Sequence, residues 1–183
     1  SRGNVYTSGK LTVTSGQLSK AEAYNLYVAN GGSAELAGGT LTGAGKANVA
    51  VDTQGKLTMA EGVAVVSAQI GILNYGTAEL TKATLEQNFT NIKNYGTASV
   101  KDSEIQRSTG NNVENEAGGS LALTDTNITN SGADSIDNRG KLSFTGLTVR
   151  RAGGMAVYNI GGSFQGEKLV IYGSAGTAID NMD

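Results

Sequence analysis

The residues able to do chemistry in this chain are few, and their types exclude most of it. There is no His and no Cys among the 183 residues, which removes thiol chemistry, the usual transition-metal ligand sets and the commonest general base. What remains is carboxylates, tyrosines and arginines at recurring distances. Glu35 and Glu79 fall in one outward row with Thr58 between them, two repeats apart and so roughly 10 Å from each other if each repeat is one strand separation. Glu114, Asp137 and Asp180 share a second row, interrupted by Tyr158. Carboxylates on neighbouring strands are what a polysaccharide hydrolase or lyase needs, alone as an acid and base or with Ca²⁺. Neither row assembles such a set, so no catalytic residue and no metal ligand is assigned.

Tyr75 and Tyr95 occupy identical positions in "NYGTAEL" and "NYGTASV". Their rings either offer faces to a sugar or partner, or stack on each other and stiffen the segment. Arg107 and Arg151 are a second equivalent pair, two repeats apart with Asn130 between and Arg150 alongside. Guanidinium groups in that row would meet sulfated or carboxylated glycans bidentately, or stand as solvated surface charges. Thr-x-Thr segments at "LTVTSG" and "TLTG" suggest an ice-binding array, but Glu35, Glu79, Glu86, Lys101 and Arg150 interrupt its rows. The sequons at Asn88 and Asn127 matter only in a eukaryotic secretory pathway.

The elements that must position these residues follow from the spacing itself. Taking the Gly of "NYG" as anchor, the same unit returns at Gly9, Gly32, Gly55, Gly76, Gly96, Gly119, Gly140 and Gly162, at intervals of 23, 23, 21, 20, 23, 21 and 22. Two and four residues past each anchor the side chains are mostly apolar: Leu57 and Met59, Ala78 and Leu80, Leu121 and Leu123. Alternation of this kind marks a strand with one buried face. A second apolar row lies nine residues past the anchor (Leu18, Leu41, Ala64, Leu85, Ile105, Ile128, Val149, Ile171), and a third closes the unit (Leu26, Val49, Ile70, Ile92, Val113, Ile136, Val157, Ile179). Each unit therefore predicts three short strands.

Soon after the third row comes an Asn: Asn74, Asn94, Asn115, Asn138, Asn159 and Asn181, with Asn30 in the equivalent place of the first unit and Asp52-Thr53 replacing it in one other. Stacked amides hydrogen-bond from rung to rung at the inside of a corner, and the Gly that follows allows a backbone a side chain would obstruct. The prediction is an all-β, single-stranded parallel β-helix, or β-solenoid, of about eight rungs of 20 to 23 residues, three strands each, about 40 Å long. A leucine-rich repeat would need a Leu-x-x-Leu-x-Leu run and a helical segment, and neither is present. Residues 1–183 read as one segment of a longer solenoid, because no capping unit begins or ends them.

Units such as "MAVYNIGGSF" and "NVENEAGGSLAL" resemble the repeats of bacterial surface and secreted β-helix proteins: autotransporter passenger domains, chlamydial polymorphic outer-membrane proteins and wall-anchored adhesins. The rung length and Asn corner resemble the right-handed β-helix family, and the lack of Cys is similar to autotransporter passengers. The resemblance implies an extracellular rod, on a bacterial surface or secreted, used for adhesion, aggregation or as a stalk. Its partner would be a host-surface glycan or protein, or a like molecule on another cell, with no cofactor. A net charge of −2 gives no reason to expect nucleic acid. The longest apolar run, "GVAVVSAQIGIL", is too short for a spanning helix, so no membrane insertion by this segment is expected. Two alternatives stay open: a stalk with no ligand of its own, and a fragment of a β-helix polysaccharide lyase or hydrolase. Near-constant unit length argues against the long groove-walling loops of the latter.

Overall fold

In the computed structural model, which describes residues 2–182, the chain winds through three parallel sheets. Each rung contributes one strand to each sheet in turn. The nine strands of sheet A run from Gly3–Thr7 to Ile179–Met182, the eight of sheet B from Lys10–Val13 to Ser163–Glu167, and the eight of sheet C from Gln17–Ser19 to Val170–Tyr172. Every strand pairs with its counterpart one rung away, so all pairings are parallel. No described residue is helical. The architecture is a β-solenoid with three strands per rung.

The inward columns are as the alternation predicts. Leu57, Ala78, Ala98, Leu121 and Leu142 align in sheet B beside Met59, Leu80, Val100, Leu123 and Phe144, all buried. In sheet C the buried column runs Leu41, Val65, Leu85, Ile105, Ile128, Val149. Val65 stands there in place of the expected Ala64, which faces outward. The turn before it, Ala60 to Gly62, is one residue longer than its counterparts, and Gly62 takes φ +85 to absorb it. In sheet A the core residue of the fourth rung is Ile72, aligned with Val49 and Ile92, and not Ile70, which is paired with Thr90 on the outward row. A fixed count from the anchor fails wherever a turn gains or loses a residue.

Sheet A carries amide ladders at both inner corners. At its exit Asn74, Asn94, Asn115, Asn138, Asn159 and Asn181 form one file. Each Nδ2 donates to the Oδ1 of the next, at 2.8 Å from Asn74 to Asn94, 2.8 Å from Asn94 to Asn115 and 2.7 Å from Asn115 to Asn138. Asn30 is not in this file. The first rungs put Thr7, Val28 and Val51 in the column, and Asn30 is exposed outside it, accepting from Thr53 and the Gln54 N–H. The position expected at Asp52-Thr53 is likewise filled by Val51.

At the sheet's entrance a second ladder runs through Asn4, Asn25, Asn48, Asn91 and Asn112. The fourth rung has Gly71 in this column, where a Cβ would lie 2.9 Å from Asn88 Nδ2. The amide of Asn88, in the turn that leads into the next sheet A strand, takes the missing place, donating to Asn91 at 2.7 Å and accepting from Asn48 at 3.5 Å. These amides also donate to the carbonyls that end the sheet C strands, among them Thr42, Val66 and Gln106. Each of these carbonyls also accepts from a backbone N–H one rung back, of Lys20, Gly43 and Gln87, so the ladder amide is a second donor that ties the corner to the strand beside it. The two ladders overlap from Asn74 to Asn115, so nearly every rung of sheet A is fastened at one corner or both.

Candidate binding face on sheet A

The outer face of sheet A and its exit corner gather most of the chemistry this chain has. One outward column reads Tyr6, Tyr27, Ala50, Leu73, Lys93, Glu114, Asp137, Tyr158, Asp180. It is aromatic in the first two rungs, apolar in the next two, then charged except at Tyr158. The corner beside it places Asp52, Tyr75, Tyr95, Glu116 and Arg139 on successive rungs, each backbone N–H donating to the rung before.

Tyr75 and Tyr95 stack on each other, centroids 4.7 Å apart and planes at 11°. Each ring therefore has one face covered by the other and one face left. The free side of Tyr95 meets Lys93, whose Nζ lies 5.7 Å from its centroid, a cation–π contact. The free side of Tyr75 looks toward the early rungs, where Tyr27 stacks on Tyr6 at 5.7 Å and 4°, and Tyr24 leans on Tyr27 at 5.5 Å and 50°. Tyr27 donates its hydroxyl to Asp52 Oδ2 at 3.0 Å. Burial, then this bond, pushes its phenol above the ordinary tyrosine value. Tyr6, Tyr24, Tyr27 and Asp52 thus belong to the same surface as Tyr75 and Tyr95. Sequence reasoning singled out only the pair whose local context repeats. The signal for the others was present in the outward parity of Tyr6 and Tyr27 in consecutive units.

Beyond the tyrosines lies a network of charges. Lys93 Nζ is 2.7 Å from Glu114 and 2.8 Å from Glu116, and Arg139 bridges Glu116 at 3.3 Å and Asp137 at 2.9 Å. Burial lowers the lysine's proton affinity, but the two carboxylates more than reverse that and hold it well above the usual lysine range. The Lys93 hydrogen bond holds Glu116 below the ordinary glutamate value against the opposing effect of burial. Asp137 is buried, its Oδ1 has no partner, and desolvation raises its pKa despite Arg139. The acidic row anticipated at Glu114, Asp137 and Asp180 is therefore met by the protein's own cations at its first two members, and no described carboxylates cluster as a metal site. Glu79, of the other acidic row, pairs with Lys56 at 3.0 Å.

The arginines lie elsewhere. Arg107, Asn130 and Arg151 form the left-handed corner that leads from sheet C into sheet A, at φ 54, 54 and 55. Arg150 is one column back, between Thr129 and Tyr172. Arg107 is paired with Glu86 at 3.1 Å, whereas Arg150 and Arg151 have no ion pair among the described residues. A sheet A strand separates this corner from the one carrying Tyr75 and Tyr95. The two sequence-predicted groups do not form one site. Of the sequons, Asn88 is fully buried in the entrance ladder and Asn127 is exposed.

No protein-family model, no curated protein and no solved structure matches this chain. What can be said of its class rests on its own geometry: it is a β-solenoid repeat protein with three parallel strands per rung and an amide ladder at each inner corner of sheet A.

Proposed function

We propose that this chain is a non-enzymatic interaction rod, displayed on a bacterial surface or secreted, that binds a glycan or protein through the outer face of sheet A. The observation that carries this reading is the run of tyrosines along one side: Tyr6, Tyr24 and Tyr27 in the first two rungs, Tyr75 and Tyr95 in the fourth and fifth. Aromatic rings with a polar tip, held on rigid strands, give contact area at low entropic cost. The ladders beneath keep that face from flexing. The mechanism is additive: each ring contributes a modest contact, and affinity grows with the length of rod engaged.

A glycan array probed with the chain and with a Tyr27→Ser/Tyr75→Ser/Tyr95→Ser variant tests the reading. Arg150→Ser/Arg151→Ser serves as a second arm, because those side chains lie at the opposite corner. Binding lost only in the tyrosine variant supports the face. Binding lost only in the arginine variant moves the site to the sheet C corner. Silence from all three favours a stalk.

A further inference from the structure

Between the aromatic rungs lies a slot left by one small side chain, Ala50. The third rung puts Ala47 and Ala50 on the outward rows of sheet A, while the rungs on either side present Tyr24 and Tyr27 before them and Ile70 and Leu73 after. A missing side chain on one rung leaves a gap two strand separations tall, roughly 10 Å. The resulting cavity, about 150 Å³, is bounded by Tyr24, Tyr27, Leu73, Tyr75 and Asp52 over a floor of Ala50 and Val51. At about 30 Å³ per water it holds about five water-sized groups.

Its chemistry is selective. Tyr24 and Tyr27 meet at 50° and so form a V, not the flat platform a pyranose ring lies on. Ala50 and Val51 are buried and aliphatic, and offer no side-chain donor to a sugar hydroxyl. The carboxylate of Asp52 accepts from Tyr27 at 3.0 Å and from the Thr53 N–H at 2.8 Å, but among the described residues it has no ion pair. Arg2, which lines a larger cavity of about 520 Å³ together with Tyr6, Tyr24, Tyr27 and Asp52, makes no ion pair with it either. An uncompensated negative charge inside three aromatic walls is complementary to a cation whose own surface is apolar.

We propose that this slot binds a methylated ammonium group, with the rings of Tyr24, Tyr27 and Tyr75 around its methyl groups and Asp52 as counter-ion. The inference rests on the sheet A reading above, and names the ligand chemistry of one part of that face.

The test is calorimetric titration of the whole chain with choline and with 3,3-dimethylbutan-1-ol, which has the same shape and no charge. Choline is expected to bind at roughly millimolar Kd and the neutral analogue at least about tenfold more weakly. Asp52→Asn is expected to erase most of that difference, and Tyr24→Leu or Tyr75→Leu to lose choline binding while circular dichroism remains that of the parent. Tyr75 is exposed, so its variant keeps the test informative if Tyr24→Leu does not fold. A phosphocholine arm distinguishes a bare ammonium from a headgroup: phosphate beside Asp52 weakens binding unless Arg2 receives it, which Arg2→Ala then reveals. Equal binding of choline and its neutral analogue, or no heat from choline up to tens of millimolar, would overturn the proposal. If glycan binding through the tyrosines persists in that case, the cage falls and the sheet A face stands; if both vanish, the face reading falls with it.

Discussion

Replacing Asn115 by Ala should cost this protein several times more than replacing Asn30, although both asparagines follow the same sequence rule. Asn115 is buried in the middle of the exit ladder. Its Oδ1 accepts from Asn94 at 2.8 Å, and its Nδ2 donates to Asn138 Oδ1 at 2.7 Å and to the Lys141 carbonyl at 3.1 Å. After substitution Asn94 keeps two carbonyl partners, Gly96 and Ser120. Asn138 Oδ1 is worse placed: it sits in a buried residue and loses the donor it had. Two ordinary hydrogen bonds at about 1 kcal/mol each, and one orphaned acceptor at about 1–3 kcal/mol, sum to about 3–5 kcal/mol. Asn30 is exposed and water replaces what it loses, so Asn30→Ala should cost under about 1 kcal/mol. Urea unfolding followed by far-ultraviolet circular dichroism is the assay. With a slope of about 2–3 kcal/mol per molar, Asn115→Ala should lower the midpoint by roughly 1–2 M and Asn30→Ala by a few tenths. An unchanged slope in both variants identifies one cooperative transition. Equal small shifts for the two variants would refute the assignment of the ladder as the fastening of the corner.

Two further outcomes follow from the same rung geometry. Gly96→Ala puts a Cβ 2.2 Å from the Gly76 carbonyl oxygen and 2.6 Å from Tyr75 backbone atoms; because backbone cannot move aside as a side chain can, the cost should exceed about 2 kcal/mol, read by the same urea titration. Because Lys93 holds Glu116 below its ordinary value, that pair's contribution is complete above the unfolded glutamate pKa and is lost as pH falls through the lowered folded value. Lys93→Met should therefore destabilise the protein at pH 7 and shrink the drop in urea midpoint between neutral and acid pH; an unchanged acid limb would show that the network contributes nothing to folding.

Much of the solenoid was legible in the sequence because its physics is additive in rungs. A parallel stack brings residue n of one unit over residue n of the next, so any column that must be buried repeats its apolar character at the unit spacing. Leu121 over Leu142 and Ile105 over Ile128 are such pairs. The exit ladder was readable for the same reason from Asn74 onward, since each amide needs an amide above it. The misplacements mark where the rule is local: Ala64 for Val65 at a turn with one extra residue, Ile70 for Ile72 where two apolar residues competed, and Asn30 where an Asn near the recurring spacing stood outside the column.

The entrance ladder and the binding face were decided by the tertiary structure. Asn88 fills the place of Gly71 from a different part of the rung, a substitution of one side chain for another in space that no column count contains. Tyr24, Tyr27, Asp52 and Tyr75 lie in three different rungs and three different columns, and meet only because the corner bends the exit of sheet A toward its face and because Ala50 leaves the space between them empty. Periodicity records what each rung shares with its neighbours, which is the fold. A site is made where rungs differ, and the consequence of a difference depends on which side chains stand around it.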